Sequence, residues 1–254
     1  MSGQHQPEWD FYFCEMNDKT GSIMLDLGLS NVAPFSAWQH LLWISVKMNA
    51  PRAEDGLSSA EESEMLVQIE DELTAKLSGP HQAIYAGRLT YDGRRNFYFY
   101  LRDPLLHDRN VSEAMGAFPH YQFDYRLKED KEWSAYFDFL YPEPEQMQSM
   151  YNRRVIHNLE KHGDALSKAR KVDHHIYFLS ESDRENFIGK ILSEGFAVEN
   201  KSEGESEAFP FGLHISRVDH VDAESVDAYT LYLVELAEAC NGHYDGWGTH
   251  IEKE

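Results

Sequence analysis

Positive charge is scarce in this chain. Against 44 Asp and Glu it carries 23 Lys and Arg, a net charge of −21 at pH 7. A nucleic acid duplex presents one negative charge per roughly 1.7 Å of its axis, so direct binding of nucleic acid opposes the field of this protein. Long apolar runs are missing too. No stretch approaches the roughly 18 apolar residues of a membrane span, and no membrane association is expected. Cysteine occurs only as Cys14 and Cys240. That is too sparse for a disulfide framework, and two free thiols are expected. The opening "MSGQHQPEWDF" has neither the basic nor the apolar region of a signal peptide, so a cytoplasmic location is the expectation.

The short motifs of common chemistries are also missing. There is no HExxH, CxxC, HxxxH, GxSxG or phosphate-loop pattern. His174 and His175 are adjacent, so on a strand they point to opposite faces. His157 and His162 are five apart, not the three or four that share a helix face. No metal site and no cofactor are expected. An enzyme built from residues that meet only in three dimensions stays open, with Asp92, Arg94 and Arg95 as its candidates. Their bland reading is a solvated turn.

What the chain does have is a core. Its 254 residues are 42% hydrophobic and 13% aromatic, enough for one large domain or two small ones. "EWDFYFCEM" and "SIMLDLGL", with turn chemistry in "DKTG", predict a hairpin. "HLLWISVKMN" follows as an apolar strand. A helix is expected where Met65, Leu66, Ile69, Leu73 and Leu77 recur at helical spacing; Ser58 with Glu61, and Ser59 with Glu62, fit capping boxes, and Gly79-Pro80 is the stop. "YDGR" turns a second hairpin. A helix over "PLLHDRNVSEAMGAF" and two strands flanking the polar turn Lys128–Lys131 complete this part. Another helix, with the stripe Met147, Met150, Tyr151, Val155 and Leu159, leads through "DALSKARK", which has the composition of a linker.

The rest repeats the β-α-β-β-α-β order. "HHIYFLS" is a strand, Ser182 with Glu185 caps a helix, two hairpin strands follow, and "DAESVDAYTLYLVELAEACNG" is a second helix. "HYDGWGTHIE" is the last strand, expected inside the sheet. By alternation His243, Asp245, Trp247, Thr249 and Ile251 share one face, and Tyr244, Gly246, Gly248 and His250 the other. The two glycines predict close packing or a bulge with Trp247 in the core, or else a docking surface. The fold class expected is α+β: two ferredoxin-like (βαββαβ) domains, the first with an extra N-terminal β-hairpin and an extra strand. The domains are expected at residues 1–142 and 172–254, joined by a helix and linker at 143–171.

Charge is uneven along the chain. From Val172 to Glu254 there are 18 acidic and 5 basic residues. On a wheel of the second C-terminal helix, Val226, Tyr229, Leu233, Leu236, Ala237 and Cys240 cluster on one side. Glu224, Asp227, Glu235 and Glu238 cluster opposite, around Leu231. These five residues are the candidate partner-binding site, for a basic and partly apolar segment. An ordinary solvated helix face is the competing reading.

The segment that opens with "HHIYF", runs through "VDAESVDAYTLYLVELAEACNG" and closes on "YDGWGT" (Tyr244, Asp245, Gly246, Trp247, Gly248, Thr249) resembles the regulator of ribonuclease activity B (RraB) family, protein inhibitors of ribonuclease E. "EWDFYFC" and "LLWISVKMN" resemble a bacterial domain of unknown function found fused to it. The resemblance implies a non-catalytic adaptor that docks on a basic region of an RNA-processing enzyme, with ribonuclease E as the first candidate partner. It brings no catalytic residues. A small-molecule-binding or hydrolytic enzyme, and a nucleic-acid mimic, are the alternatives; the oligomeric state is left open.

Overall fold

A computed structural model describes residues 5–79, 82–105, 107–204 and 208–253. The chain divides into two compact units, one ending at Gln146 and one beginning at Met147. Each contains one antiparallel sheet with helices, so the protein is α+β. Among the described residues no helix is long and apolar enough to cross a membrane.

The first unit opens with the expected hairpin, β1 (Trp9–Met16) and β2 (Lys19–Asp26). Its turn residues are Asn17 and Asp18, both at positive φ, so of "DKTG" only Asp18 lies in the turn. Then come β3 (His40–Lys47), α1 (Ala60–Ser78), β4 (Ile84–Tyr91), β5 (Arg94–Leu101), α2 (His107–Met115) and β6 (Phe123–Glu129). The sheet runs β1-β2-β4-β5-β3-β6. Leu42, Ile44 and Val46 of β3 alternate into a core with Phe97, Phe99 and Leu101 of β5; Leu66, Ile69, Leu73 and Leu77 of α1 close it. Ser59 caps α1, accepting from the Glu62 backbone N–H. The Glu62 carboxylate does not return that bond; it accepts from the N–H groups of Asn49 and Ala50. Pro80, half of the expected stop signal, lies outside the described residues.

One expected strand is a helix. Residues Ala135–Leu140 form a π-helical turn, so the first unit has no extra strand there. The reason is visible in Trp133, at φ +58°, which turns the chain out of the sheet after β6. Trp133, Tyr136 and Leu140 then recur at helical spacing and are fully buried. Asp130 fixes this turn: its carboxylate accepts from the N–H groups of Ser134 (2.9 Å) and Ala135 (3.0 Å) and from the Tyr100 hydroxyl (2.7 Å). The Trp133 ring stacks on Tyr100 at 3.7 Å.

The second unit holds most of α3 (Pro144–Lys161), then β7 (Arg170–Phe178), α4 (Glu181–Ile191), β8 (Ala197–Glu203), β9 (Phe211–Asp219), α5 (Ala223–Glu238) and β10 (Gly242–Thr249). The sheet runs β10-β7-β9-β8, every neighbour antiparallel. So β10 is an edge strand, paired with β7, and not the interior strand expected: the second crossover carries the chain outside its first strand. Ser180, not Ser182, caps α4. The core joins Ile176 and Phe178 of β7, Phe187 and Ile191 of α4, and Val226 and Leu233 of α5.

Ile156 and Leu159 of α3 belong to that same core. The segment after it is pinned as well. Buried Arg170 donates two bonds, of 2.7 and 3.0 Å, to the buried Asp164 carboxylate, which also accepts from the backbone of Leu166 and Glu252. Burial pushes the Asp164 carboxyl up, but these donors outweigh it and hold it below its ordinary value. The linker-like composition of "DALSKARK" thus hides a buried ion pair and the start of β7.

Candidate functional site

The sequence motif at the C-terminus and the acidic helix meet in the second unit through one residue that neither contains. Asn152 of α3 is 1% exposed. Its Oδ1 accepts from the Trp247 indole Nε1–H at 2.8 Å and from Gln148 Nε2 at 2.8 Å. Its Nδ2 donates to Asp227 Oδ1 at 2.8 Å and to Thr230 Oγ1 at 2.7 Å. An amide has two acceptor sites and two donors, so every capacity of Asn152 is used. Thr230 Oγ1 in turn donates to the Val226 carbonyl. The hub ties α3, α5 and β10 together with no group left over.

Trp247 is therefore a core anchor, 9% exposed. The alternation expected for β10 fails at Asp245, where the register with β7 slips between Tyr244 and Gly246. This β-bulge inserts one residue, so Tyr244 and Trp247 both point inward although three positions separate them. Gly246 sits in the bulge at φ +145°, a conformation L side chains rarely adopt. Gly248 has open space where a Cβ would be. Close packing against either glycine is therefore not the reason for them.

Inside the sheet, His174 is fully buried and shares a 2.8 Å hydrogen bond with the Tyr244 hydroxyl. Burial chiefly, and then the Arg217 charge, push its pKa from 6.5 down to about 3, so it is neutral at physiological pH. Its neighbour His175 points outward and stacks on His214 at 4.7 Å.

The acidic stripe of α5 is divided by the hub. Glu224, Glu235 and Glu238 are exposed, and among the described residues none has an ion-pair partner. Asp227 is half-buried and bonded to Asn152. Leu231, one turn beyond Asp227, is half-buried rather than standing free among carboxylates. Of the stripe expected on α3, Met150 and Leu159 are buried and Val155 packs against the core, but Tyr151 is exposed; the other buried positions are Gln148, Asn152 and Ile156. Apolar periodicity cannot find a face whose centre is two amides. Their i, i+4 spacing was the available signal.

In the first unit the structure separates the three residues of the β4–β5 turn. Asp92 accepts from Lys19 Nζ at 2.6 Å. Arg94 bonds Ser45 and Asp124 on one sheet face, while Arg95 is buried on the other, donating to Thr90 and Ser58. They do not converge. A cavity of about 600 Å³ lies on the sheet face away from α1 and α2, lined by Leu41, Trp43, Tyr98, Arg126, Lys128 and Phe139 among others. Both cysteines are free thiols; Cys240 is buried, and burial raises the half-buried Cys14. No group of His, Cys, Asp and Glu suited to a metal ion occurs among the described residues.

The chain is thus two α+β units in sequence, the second acidic and tied together through buried Asn152. Residues 7–141 match a family of unknown function, DUF695, and residues 149–249 match Regulator of ribonuclease activity B. The second match begins inside α3, so Asn152 and the helix from residue 149 onward fall within it. A Regulator of ribonuclease activity B from Haemophilus influenzae is 31% identical over 104 residues, covering 39% of this chain and 67% of the relative. One from Actinobacillus succinogenes is 28% identical over 113 residues, covering 43% of this chain and 78% of the relative. The chain belongs to the DUF695 family through its first unit and to the regulator of ribonuclease activity B family through its second. A solved structure titled putative glycine cleavage system transcriptional repressor aligns at 10% identity over 84% of this chain and 98% of its own, with a TM-score of 0.25, too low to bear on function.

Proposed function

We propose that this protein is a non-catalytic, cytoplasmic regulator that binds a ribonuclease and changes its activity. The docking part is the second unit, and ribonuclease E is the first partner to test. The observation that supports this most is the exposed set Glu224, Glu235 and Glu238 on a helix of the family-matched unit, unpaired among the described residues. Three carboxylates on a rigid helix attract a basic segment and orient it, with Leu231 at their edge as the apolar contact. We read each unit's β-α-β-β-α-β order, with strand orders β4-β5-β3-β6 and β10-β7-β9-β8, as ferredoxin-like. The domain limits we propose are Gln146 and Met147, with α3 part of the regulator.

The test is surface-plasmon kinetics on immobilised ribonuclease E, alongside RNA cleavage by the same enzyme. Wild-type protein is expected to bind and to alter cleavage. At ~0.15 M salt exposed attraction reaches only about 8 Å, so higher salt should slow association. Glu235→Lys with Glu238→Lys should lower the on-rate with little change in off-rate. Binding that ignores both the charges and the salt would exclude this face.

A further inference from the structure

A second, smaller cavity of about 270 Å³ lies on the helix-bearing side of the first unit's sheet, beside the leading hairpin. Its lining includes Phe11 and Phe13 of β1, Ser58 from the loop before α1, Arg88 and Thr90 of β4, and Arg95 of β5. Register puts these side chains together. Phe13 pairs with Ser22, Ser22 with Thr90, and Thr90 with Arg95, so successive strands turn the same face inward.

Arg95 is the unusual residue. It is 4% exposed in a protein of net charge −21, yet among the described residues no carboxylate pairs with it. Its cationic neighbour is not in that position: Arg88 is bonded to Glu70. Arg95 instead donates from Nε to Thr90 Oγ1 at 2.9 Å and from Nη2 to Ser58 Oγ at 3.3 Å, and buried Nη1 has no partner. A buried guanidinium with only neutral acceptors is costly, and such a charge is normally paired. Burial chiefly, and then the Arg88 charge, lower its pKa to about 10, against the opposing pull of the Glu70 and Glu62 carboxylates, neither of which bonds it.

The two hydroxyls matter for what would pair with it. Each already accepts from Arg95, so each has its own O–H left to donate. One cation short of an acceptor and two hydroxyl donors make a site for an anion with several oxygens. The hairpin adds an aromatic rim: Phe13 is 58% exposed and meets Phe11 edge to face at 5.8 Å. We propose that this cavity binds a small organic oxyanion, its charged oxygens at Arg95, Ser58 and Thr90 and its apolar or aromatic body against Phe11 and Phe13. The protein's negative net charge does not forbid this, because distant surface charges are screened within about 8 Å at ~0.15 M salt while a partly enclosed site is screened much less.

The test uses the full chain and calorimetric titration at constant ionic strength, with inorganic phosphate, phenyl phosphate and benzoate as probes and chloride as the balancing salt. Phenyl phosphate or benzoate is expected to bind saturably at one site, tighter than inorganic phosphate if the aromatic rim contributes. Arg95→Met should abolish that binding, and Thr90→Val with Ser58→Ala should weaken it about tenfold or more, the loss of one or two charge-assisted bonds. Phe13→Ala should weaken the aromatic probes and leave inorganic phosphate unchanged. Should Arg95→Met not fold, the hydroxyl double variant and Phe13→Ala decide. No saturable binding of any probe in the millimolar range, or binding unchanged in the hydroxyl variant, would overturn the proposal. Inorganic phosphate binding as tightly as the aromatic probes would also overturn the part that assigns an organic body.

Discussion

Asp130 in the first unit and Asn152 in the second each hold down an element added to the same succession of strands and helices. Asp130 accepts two backbone N–H groups four and five residues ahead and one tyrosine hydroxyl, so it fixes a local turn. Asn152 reaches Asp227, Thr230 and Trp247, between 75 and 95 residues away in sequence. The carboxylate is acceptor-only and suits a turn full of unpaired N–H groups. The amide donates and accepts equally and suits a junction between side chains of both kinds. A local device can fail alone. A long-range one takes the packing of three elements with it.

The largest effect is therefore expected in the second unit. Asn152→Ala strands the Trp247 indole N–H, the Gln148 amide and Thr230, and should cost about 3–4 kcal/mol. Trp247→Ala should cost about 3–5 kcal/mol by emptying the core position, whereas Trp247→Phe, which keeps the ring, should lose about 1–2 kcal/mol. Hydrogen exchange read by mass spectrometry would show deprotection of α3, α5 and β10 and none of β1 to β6. Deprotection spread over both units would erase the distinction.

Acid should act next, again on the second unit. Unfolded His174 takes a proton near 6.5 and folded His174 only near 3. Between those values the unfolded state binds the extra proton. The contribution of this group is thus full above pH 6.5 and is lost as pH falls toward 3, by up to on the order of 5 kcal/mol. Replacing His174 and Tyr244 together by Phe removes the buried pair. The slope of stability against pH over that window should flatten relative to wild type. An unchanged slope would mean His174 is not the group responsible.

Asp130→Ala should cost about 2 kcal/mol, confined to the first unit, by removing charged acceptors from three donors. The glycines give the smallest effects. Gly246→Ala forces a side chain into φ +145° and should cost about 1 kcal/mol or somewhat more. Gly248→Ala meets open space and should stay within about 0.5 kcal/mol. Equal costs at the two positions would argue against the bulge as the reason for Gly246.

The strands and most helices were legible because their apolar residues repeat at periods of two or 3.6. Gly93, at φ +74° beside Asp92, sits where the Asp-Gly pair predicted a turn. What escaped was held by polar groups or by a single backbone torsion. The π-helical turn at Ala135–Leu140 is rich in aromatics that suit a strand; the Trp133 torsion and the partners of Asp130 set it apart. The inner face of α3 is centred on Gln148 and Asn152, so a search for apolar spacing slid to Tyr151. The bulge at Asp245 shifts alternation by one, so Tyr244 joins Trp247 on the inner face instead of opposing it. Of the acidic candidates, Glu224, Glu235 and Glu238 lie exposed as their spacing suggested. Asp227 was misplaced for want of its partner, which lies 75 residues earlier.

The second compact unit begins at Met147 and takes α3 into its core; we propose that its folding depends on that helix. Urea unfolding of two fragments, residues 147–254 and residues 172–254, compares the presence and absence of that helix directly. The longer fragment should unfold in one cooperative transition. The shorter one leaves the core without Ile156 and Leu159, orphans Trp247 and breaks the Asp164–Arg170 pair; it should show no cooperative transition, or one at far lower urea. A fragment 172–254 that unfolds cooperatively at the same midpoint as 147–254 would contradict the account.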